Sequence, residues 1–321
     1  MPRVPLIPAS LALVLPVLAG CSADQAPTHP RSGELLVAFA SERPPATVGA
    51  SDIYFWSLAQ PGAPVMPPNV NTPQREWMPA YSGNGNWLAY VTSGFALQLA
   101  LYNVSTGQFT LPAMTAPYLN PWNPSLSYDG HYVAFQVQIG DFTQLDVVLG
   151  DAFADTIIRT PRLHAFGAAD FDPSLSGDGR LIAFATTRDG SYDIALYDVA
   201  GDSLLPLPGL NTPAGELAPS ISRDGRLIAF ESDRAGGQGG TDIYVYDRRT
   251  ASLLPLPGAN TPLSDTLPSI SPDGRYVAFQ TDATGGGDIR LYDINLQMLM
   301  PLDGLNDAYY LDASPTLAQI P

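Results

Sequence analysis

Acidic side chains recur at one fixed position along the chain and are the first candidates for a binding site. Each stands three residues before the proline of a repeated motif, and the five are Glu76, Asp170, Glu216, Asp265 and Asp312. If these positions ring one opening, their carboxylates attract a cation or a basic side chain of a partner. The alternative is structural, because Arg43, Arg188 and Arg234 stand where each could pair with the acid of its own repeat.

Two of the five acids have no such arginine. Gly94 and Ala283 occupy the corresponding positions for Glu76 and Asp265. These two acids are therefore the best candidates for carboxylates that remain free to meet a ligand. The sixth copy of the motif has Pro121 in place of the acid.

A second group of candidates lies beside a glycine-rich loop at 284–287. Asp282 and Asp288 flank this loop and could offer oxygen ligands to a hard cation such as Ca²⁺. Their spacing does not match an EF-hand loop, so a plain flexible turn is the alternative. No other cofactor is indicated.

Four aromatic residues depart from the repeat and are candidates for contacts with protein or sugar. They are Trp77, Trp122, Tyr309 and Tyr310, which we expect on loops of the same face as the acids.

The elements that position these residues follow from the repeat itself. The motif exemplified by Pro-Ser-Ile-Ser-Arg-Asp-Gly-Arg-Leu-Ile-Ala-Phe at 219–230 recurs at a narrow spacing of 45, 49, 46, 49 and 47 residues. Its opening prolines are Pro79, Pro124, Pro173, Pro219, Pro268 and Pro315. A second motif, Asp-Ile-x-x-Tyr-Asp, follows in phase with the first. A fixed period of this length is typical of β-propeller blades.

Each repeat predicts four strands. The proline motif gives the innermost strand, Asp-Gly a two-residue hairpin turn, and the apolar run after it the second strand. The Asp-Ile-x-x-Tyr motif gives the third, and a proline-rich segment the outer edge, because proline cannot donate to a ladder. We therefore predict an all-β fold, a six-bladed β-propeller of four-stranded antiparallel blades. The strand at Pro315 has no repeat after it, so we expect it to join the first blade and close the ring.

The start of the chain predicts export. An arginine at position 3, an apolar stretch and small residues precede Cys21, the only cysteine. Leu18-Ala19-Gly20-Cys21 resembles the bacterial lipobox, which implies cleavage before Cys21 and lipid attachment to it. Ser22 in the next position favours the outer membrane under the sorting rule for such lipoproteins. The predicted organisation is a signal peptide at 1–20, a tether at 21–32 and the propeller at 33–321.

The repeat at 268–282, Pro-Ser-Ile-Ser-Pro-Asp-Gly-Arg-Tyr-Val-Ala-Phe-Gln-Thr-Asp, resembles the WD-type propeller repeat of the TolB family. The resemblance covers about residues 33–321 and implies an envelope protein that binds protein partners. Members of that family carry an α/β domain ahead of the propeller, and only the short tether stands in its place here. The resemblance specifies the fold more strongly than the function.

Composition restricts the partners. The chain has 31 acids against 15 bases, all of them arginine, for a net charge of −16. Such a surface repels nucleic acid, so we expect envelope proteins as partners, membrane attachment through the lipid on Cys21, and a monomer.

The sequence has few of the residues and motifs that are typical of catalytic sites. There are three histidines, and neither a Gly-x-Ser-x-Gly turn nor a phosphate-binding loop occurs. We therefore predict a binding module and no enzyme. The alternative is a propeller enzyme, or a metal- or carbohydrate-binding protein, with its site at the channel mouth.

Overall fold

Six small antiparallel sheets make up nearly all the regular structure in a computed structural model of the chain. The model describes residues 33–44, 51–94, 96–116, 118–139, 144–165, 167–282, 287–306 and 309–320. The predicted signal peptide at 1–20 and the tether with Cys21 lie outside these residues. No helix in the described ranges is long and apolar enough to cross a membrane.

The strands are short, and a single 3-10 turn at Ala113–Thr115 is the only helical element among the described residues. In chain order they are β1 (Leu35–Ser41), β2 (Asp52–Ser57), β3 (Glu76–Tyr81), β4 (Trp87–Ser93), β5 (Leu97–Asn103), β6 (Gln108–Thr110), β7 (Leu119–Leu126), β8 (Tyr132–Ile139), β9 (Gln144–Asp151), β10 (Thr156–Ile158), β11 (Asp170–Leu175), β12 (Leu181–Thr186), β13 (Asp193–Asp198), β14 (Ser203–Leu205), β15 (Glu216–Ile221), β16 (Leu227–Ser232), β17 (Asp242–Asp247), β18 (Ser252–Leu253), β19 (Asp265–Ile270), β20 (Tyr276–Thr281), β21 (Asp288–Asp293), β22 (Met298–Leu299) and β23 (Asp312–Gln319).

The sheets confirm the predicted six-bladed propeller and its closure. Blades two to six each take four consecutive strands, from the innermost to the outermost. The first blade has the order β2-β1-β23, so the last strand of the chain is its innermost strand. Leu36 pairs with Ala318 and Val37 with Leu317 across this junction. The outer strand of the first blade is reduced to one bridge, between Phe55 and Val65.

Apolar side chains between neighbouring blades hold the ring together. One aromatic residue of each second strand is almost completely buried, and the six are Phe39, Tyr90, Phe135, Phe184, Phe230 and Phe279. Phe230, for example, packs with Ala183 and Ile194 of the preceding blade. No blade buries this surface alone, so the stability of each sheet depends on its neighbours.

The serine of the Pro-Ser motif joins the inner strands. The Ser174 hydroxyl accepts the amide of Ile221 at 3.0 Å, and the Ser220 hydroxyl accepts the amide of Ile270 at 2.9 Å. Ser125, Ser269 and Thr316 make the same bond to the next blade. These bonds satisfy amides that no ladder partner reaches.

The inner strands begin earlier than the sequence indicates, by three residues in five blades and by five residues in β7. Instead of starting at the proline, each runs through it by means of a bulge, as between Leu217 and Ser220. The bulge takes the proline out of the hydrogen-bonded ladder. The strand can therefore contain a residue that has no N–H to donate. The residue before each proline has a positive φ, and these residues are Met78, Asn123, Asp172, Ala218, Leu267 and Ser314.

Candidate functional site

The structure places the five predicted acids inside the wall of the propeller. Each is the first residue of an inner strand, and none has exposed surface: Glu76, Asp170, Glu216, Asp265 and Asp312. The sequence indicated a ring at the channel mouth, because it put these residues outside the strand. The longer inner strands draw them into the packed interface instead.

Three of these acids form buried ion pairs. Arg43 lies 2.6 Å from Asp312, Arg188 lies 2.7 Å from Asp170, and Arg234 lies 3.0 Å from Glu216. Each guanidinium also donates to a main-chain carbonyl, those of Leu305, Leu163 and Leu210. The structural alternative therefore accounts for these three acids.

Neither Glu76 nor Asp265 forms an ion pair with an arginine among the described residues, and neither has exposed surface. The Glu76 carboxylate accepts hydrogen bonds from the amide and hydroxyl of Thr72 and from the hydroxyl of Thr92. Burial raises the pKa of Glu76 above its ordinary value, and these hydrogen bonds oppose the rise. Asp265 Oδ2 accepts the amide of Thr261 at 2.5 Å, while Oδ1 has no hydrogen-bond partner in the part of the chain that the structure describes.

The four predicted aromatic contacts divide into two groups. Trp77 and Trp122 are half-buried residues of the inner strands β3 and β7, not of loops. The Arg75 guanidinium lies 5.2 Å from the centre of the Trp77 ring. Tyr309 and Tyr310 lie in the loop before β23, and Tyr309 is 89% exposed.

The predicted calcium ligands are separate from any larger acidic group. Asp282 is exposed and Asp288, the first residue of β21, is half-buried. Among the residues that the structure describes, no group of three or more histidine, cysteine, aspartate or glutamate side chains is arranged to hold a metal ion.

The inner strands surround a narrow channel with a cavity of about 210 Å³. Its wall is formed mainly by the residues around the six motif prolines, and the charged side chains among its lining residues are Asp172 and Arg223. At the end near the Asp-Gly turns, the Arg223 guanidinium lies 3.5 Å from the centre of the Tyr128 ring. A Cβ on Gly177 would come within 2.3 Å of Arg223, and one on Gly83 within 2.4 Å of Tyr128. Because these glycines have no side chains, Arg223 and Tyr128 can lie across the channel at the end near the Asp-Gly turns.

The opposite end, which we call the channel mouth, carries a pair of carboxylates that the sequence analysis missed. Asp172 is the residue of positive φ in β11, and the Asn123 amide donates to its Oδ1 atom. Glu231, in β16, accepts the main-chain amide of Leu267 at 2.7 Å. Neither carboxylate belongs to an ion pair formed by the described residues.

Both carboxylates are harder to ionise than free ones. Burial raises the pKa of Asp172 to about 6, against the opposing hydrogen bond from Asn123. Burial raises the pKa of Glu231 to about 7, and the negative charge of Asp172 adds to the rise. Two such groups, close enough to affect each other and without a counter-charge among the described residues, are suited to hold a proton or to receive a cationic group.

A departure from the repeat could have identified this pair. Other blades have Met78, Ala218, Leu267 or Ser314 at the position of Asp172, and the residue after the second-strand aromatic is acidic only at Glu231. The signal lay in the two acids that break the repeat, whereas three of the acids that follow it form buried ion pairs.

Comparisons with solved structures agree with the fold. TolB from Acinetobacter baumannii superposes with a TM-score of 0.65 and 18% identity, over 89% of this chain and 66% of that one. A putative TolB from Agrobacterium tumefaciens gives a TM-score of 0.60 and 16% identity, over 91% of this chain and 100% of that one. An oligogalacturonate lyase in complex with manganese gives 0.51 and 14%, over 75% and 70%.

The chain thus has a TolB-like six-bladed propeller fold and spans just under two thirds of the Acinetobacter TolB. No protein-family model matches the sequence, and no curated protein matches it significantly. At these identities the likeness concerns the fold, and function has to be argued from the site.

Proposed function

We propose that this protein is a lipid-anchored lipoprotein of the cell envelope whose propeller binds another envelope protein at the channel mouth. The observation that carries the proposal is the pair Asp172, which lines the channel, and Glu231, two carboxylates for which the described residues supply no counter-charge. A basic side chain of a partner would supply the missing positive charge, and its attraction to the two carboxylates would be stronger because water is partly excluded there.

The surface around the mouth is suited to a protein partner. Large apolar side chains are exposed on the loops and strand ends of this face, with exposed fractions of 39% for Leu267, 50% for Leu263, 51% for Tyr192 and 37% for Leu311. Apolar contacts surrounding a charged centre are common in specific protein interfaces.

The envelope location rests on the sequence and on the fold. The lipobox resemblance at 18–21 supports an anchor on Cys21, and Ser22 supports the outer membrane. The likeness to two TolB structures supports an envelope setting for a propeller of this kind.

The second candidate is a propeller enzyme acting at the same mouth. The raised pKa values of Asp172 and Glu231 favour it, because carboxyl groups that hold a proton near neutral pH can act as acids or bases. The manganese-bound oligogalacturonate lyase shows that related propellers include enzymes. A polyanionic substrate is disfavoured here, since the mouth itself is acidic.

Affinity capture from envelope extracts tests the binding proposal. The bait is the mature chain, compared with a variant in which Asp172→Lys and Glu231→Lys reverse the mouth charge. Asp224→Lys, on an exposed Asp-Gly turn at the other face, is the matched control. We expect one stoichiometric partner with wild type and with the control, and its loss with the mouth variant. A partner retained by a folded mouth variant would contradict the proposal.

A further inference from the structure

Three blades share one arrangement of a buried acid, an arginine and a main-chain carbonyl. In the fifth blade Arg234 bridges the Glu216 carboxylate at 3.0 Å and the Leu210 carbonyl at 2.8 Å. The first and fourth blades repeat it with Arg43 and Arg188. A fixed cation therefore occupies the same place in each of these blades.

The sixth blade keeps the acid and the turn but lacks the arginine. Asp265 is the first residue of β19, as Glu216 is of β15, and it has no exposed surface. The amide of Ala259 closes the turn that the amide of Leu210 closes in the fifth blade. The residue that aligns with Arg234 is Ala283, which carries no charge.

Because this blade has no such arginine, the described residues leave one buried oxygen atom of Asp265 without a partner. Asp265 Oδ2 accepts the Thr261 amide, and Oδ1 accepts no hydrogen bond from any described residue. The sixth blade has two arginines: Arg275 pairs with Asp293, and Arg290 belongs to no ion pair among the described residues. A buried carboxylate oxygen left in this state costs free energy unless a cation or a proton reaches it.

A second carboxylate lies on the same face of the sheet. Asp265 pairs with Thr281 across the ladder, and Thr281 pairs with Asp288. Directly paired residues point to one side, so the two aspartates face the same space. With strands about 4.8 Å apart, their backbones are roughly 10 Å apart, a separation that two aspartate side chains can close around an ion.

We propose that the sixth blade binds a calcium ion between Asp265 and Asp288, in the place that an arginine occupies in the first, fourth and fifth blades. Two carboxylates supply a charge of −2, which a divalent cation neutralises, and oxygen ligands at this density favour Ca²⁺. Both ligands belong to the sheet of the sixth blade and neither lines the channel, so the ion has a structural role.

Calorimetric titration of the metal-free mature chain with CaCl₂ tests the proposal, together with thermal unfolding with and without Ca²⁺. We expect one bound ion per chain and a higher melting temperature in its presence. Asp288→Asn should weaken binding at least tenfold, because it removes one of the two charged ligands.

Ala283→Arg is the decisive variant, since it restores the guanidinium of the other blades. We expect it to lose calcium binding and to unfold, without calcium, near the temperature of the calcium-bound wild type. Gly94→Arg is the matched control, because it adds an arginine at the equivalent position of the second blade, where threonine groups already satisfy Glu76. Wild type that binds no calcium, or an Ala283→Arg variant that binds it unchanged, would overturn the proposal.

Discussion

Replacement of Glu231 by glutamine should stabilise the propeller at alkaline pH and leave it almost unchanged in acid. The Glu231 carboxyl has a pKa raised from 4.5 to about 7 because of burial and the neighbouring charge of Asp172. Its ionised form is therefore disfavoured in the folded state relative to the unfolded chain. Glutamine keeps a carbonyl oxygen for the Leu267 amide but cannot ionise.

The sign and size follow from proton linkage. Below about pH 4.5 the group is protonated in both states and contributes no penalty. As the pH rises toward 7 the penalty grows, and above pH 7 it is fully present, at most about 3 kcal/mol from a rise of roughly 2.5 in pKa. Because the mouth admits water and Asp172 shares the effect, we expect about 1 to 2 kcal/mol.

Urea unfolding at pH 8 and pH 4.5, monitored by tryptophan fluorescence, measures this difference. Wild type, Glu231→Gln and the control Glu42→Gln, an exposed acid, are compared at both values. We expect Glu231→Gln to gain stability at pH 8 only, and Glu42→Gln to change little at either pH. An equal effect of Glu231→Gln at both pH values would refute the assignment of a raised pKa to this group.

Three further changes test the fold that positions the mouth. Arg188→Ala should cost about 3 to 5 kcal/mol in urea unfolding, because it leaves the buried Asp170 carboxylate unpaired. Arg180→Ala, at a pair whose arginine is 61% exposed, should change the unfolding curve far less. Similar losses of stability in the two variants would contradict the burial argument. Ser220→Ala should cost about 1 to 3 kcal/mol by leaving a buried amide of the next blade without its acceptor, and an unchanged unfolding curve would show that the serine bonds do not hold the blades. Truncation before Asp312 removes the inner strand of the first blade and should abolish cooperative unfolding in calorimetry; a truncated chain with the wild-type transition would contradict closure by β23.

The repeat carried enough information to predict blade number, strand order and closure. A period near 47 residues with Asp-Gly turns allows few other folds, because each unit is too small to bury its own apolar face. The sequence indicates too late a start for the inner strand, since proline ordinarily marks the limit of a ladder. The bulge beside Pro219, which bypasses this restriction, has no clear signal in a single sequence.

The candidate site was harder to predict from the sequence, again because the bulge beside the motif proline has no clear sequence signal. Placing Glu76 and Asp265 outside the strand put them at the mouth, whereas the bulge carries them into the wall and turns Asp172 to the channel. The pairing of Asp170 with Arg188 could be read from spacing, because both residues belong to one blade. Asp172 belongs to the fourth blade and Glu231 to the fifth, so only the folded ring brings the two carboxylates together.

Site-specific photocrosslinking in the native envelope tests the central claim, that the channel mouth is the binding surface. A photoreactive residue at Ser314, beside the mouth, is compared with one at Asp178, on the exposed turns of the opposite face. The account predicts one major crosslinked partner from Ser314, reduced when Asp172→Lys and Glu231→Lys are added, and none from Asp178. A partner crosslinked from Asp178 and absent from Ser314 would contradict it.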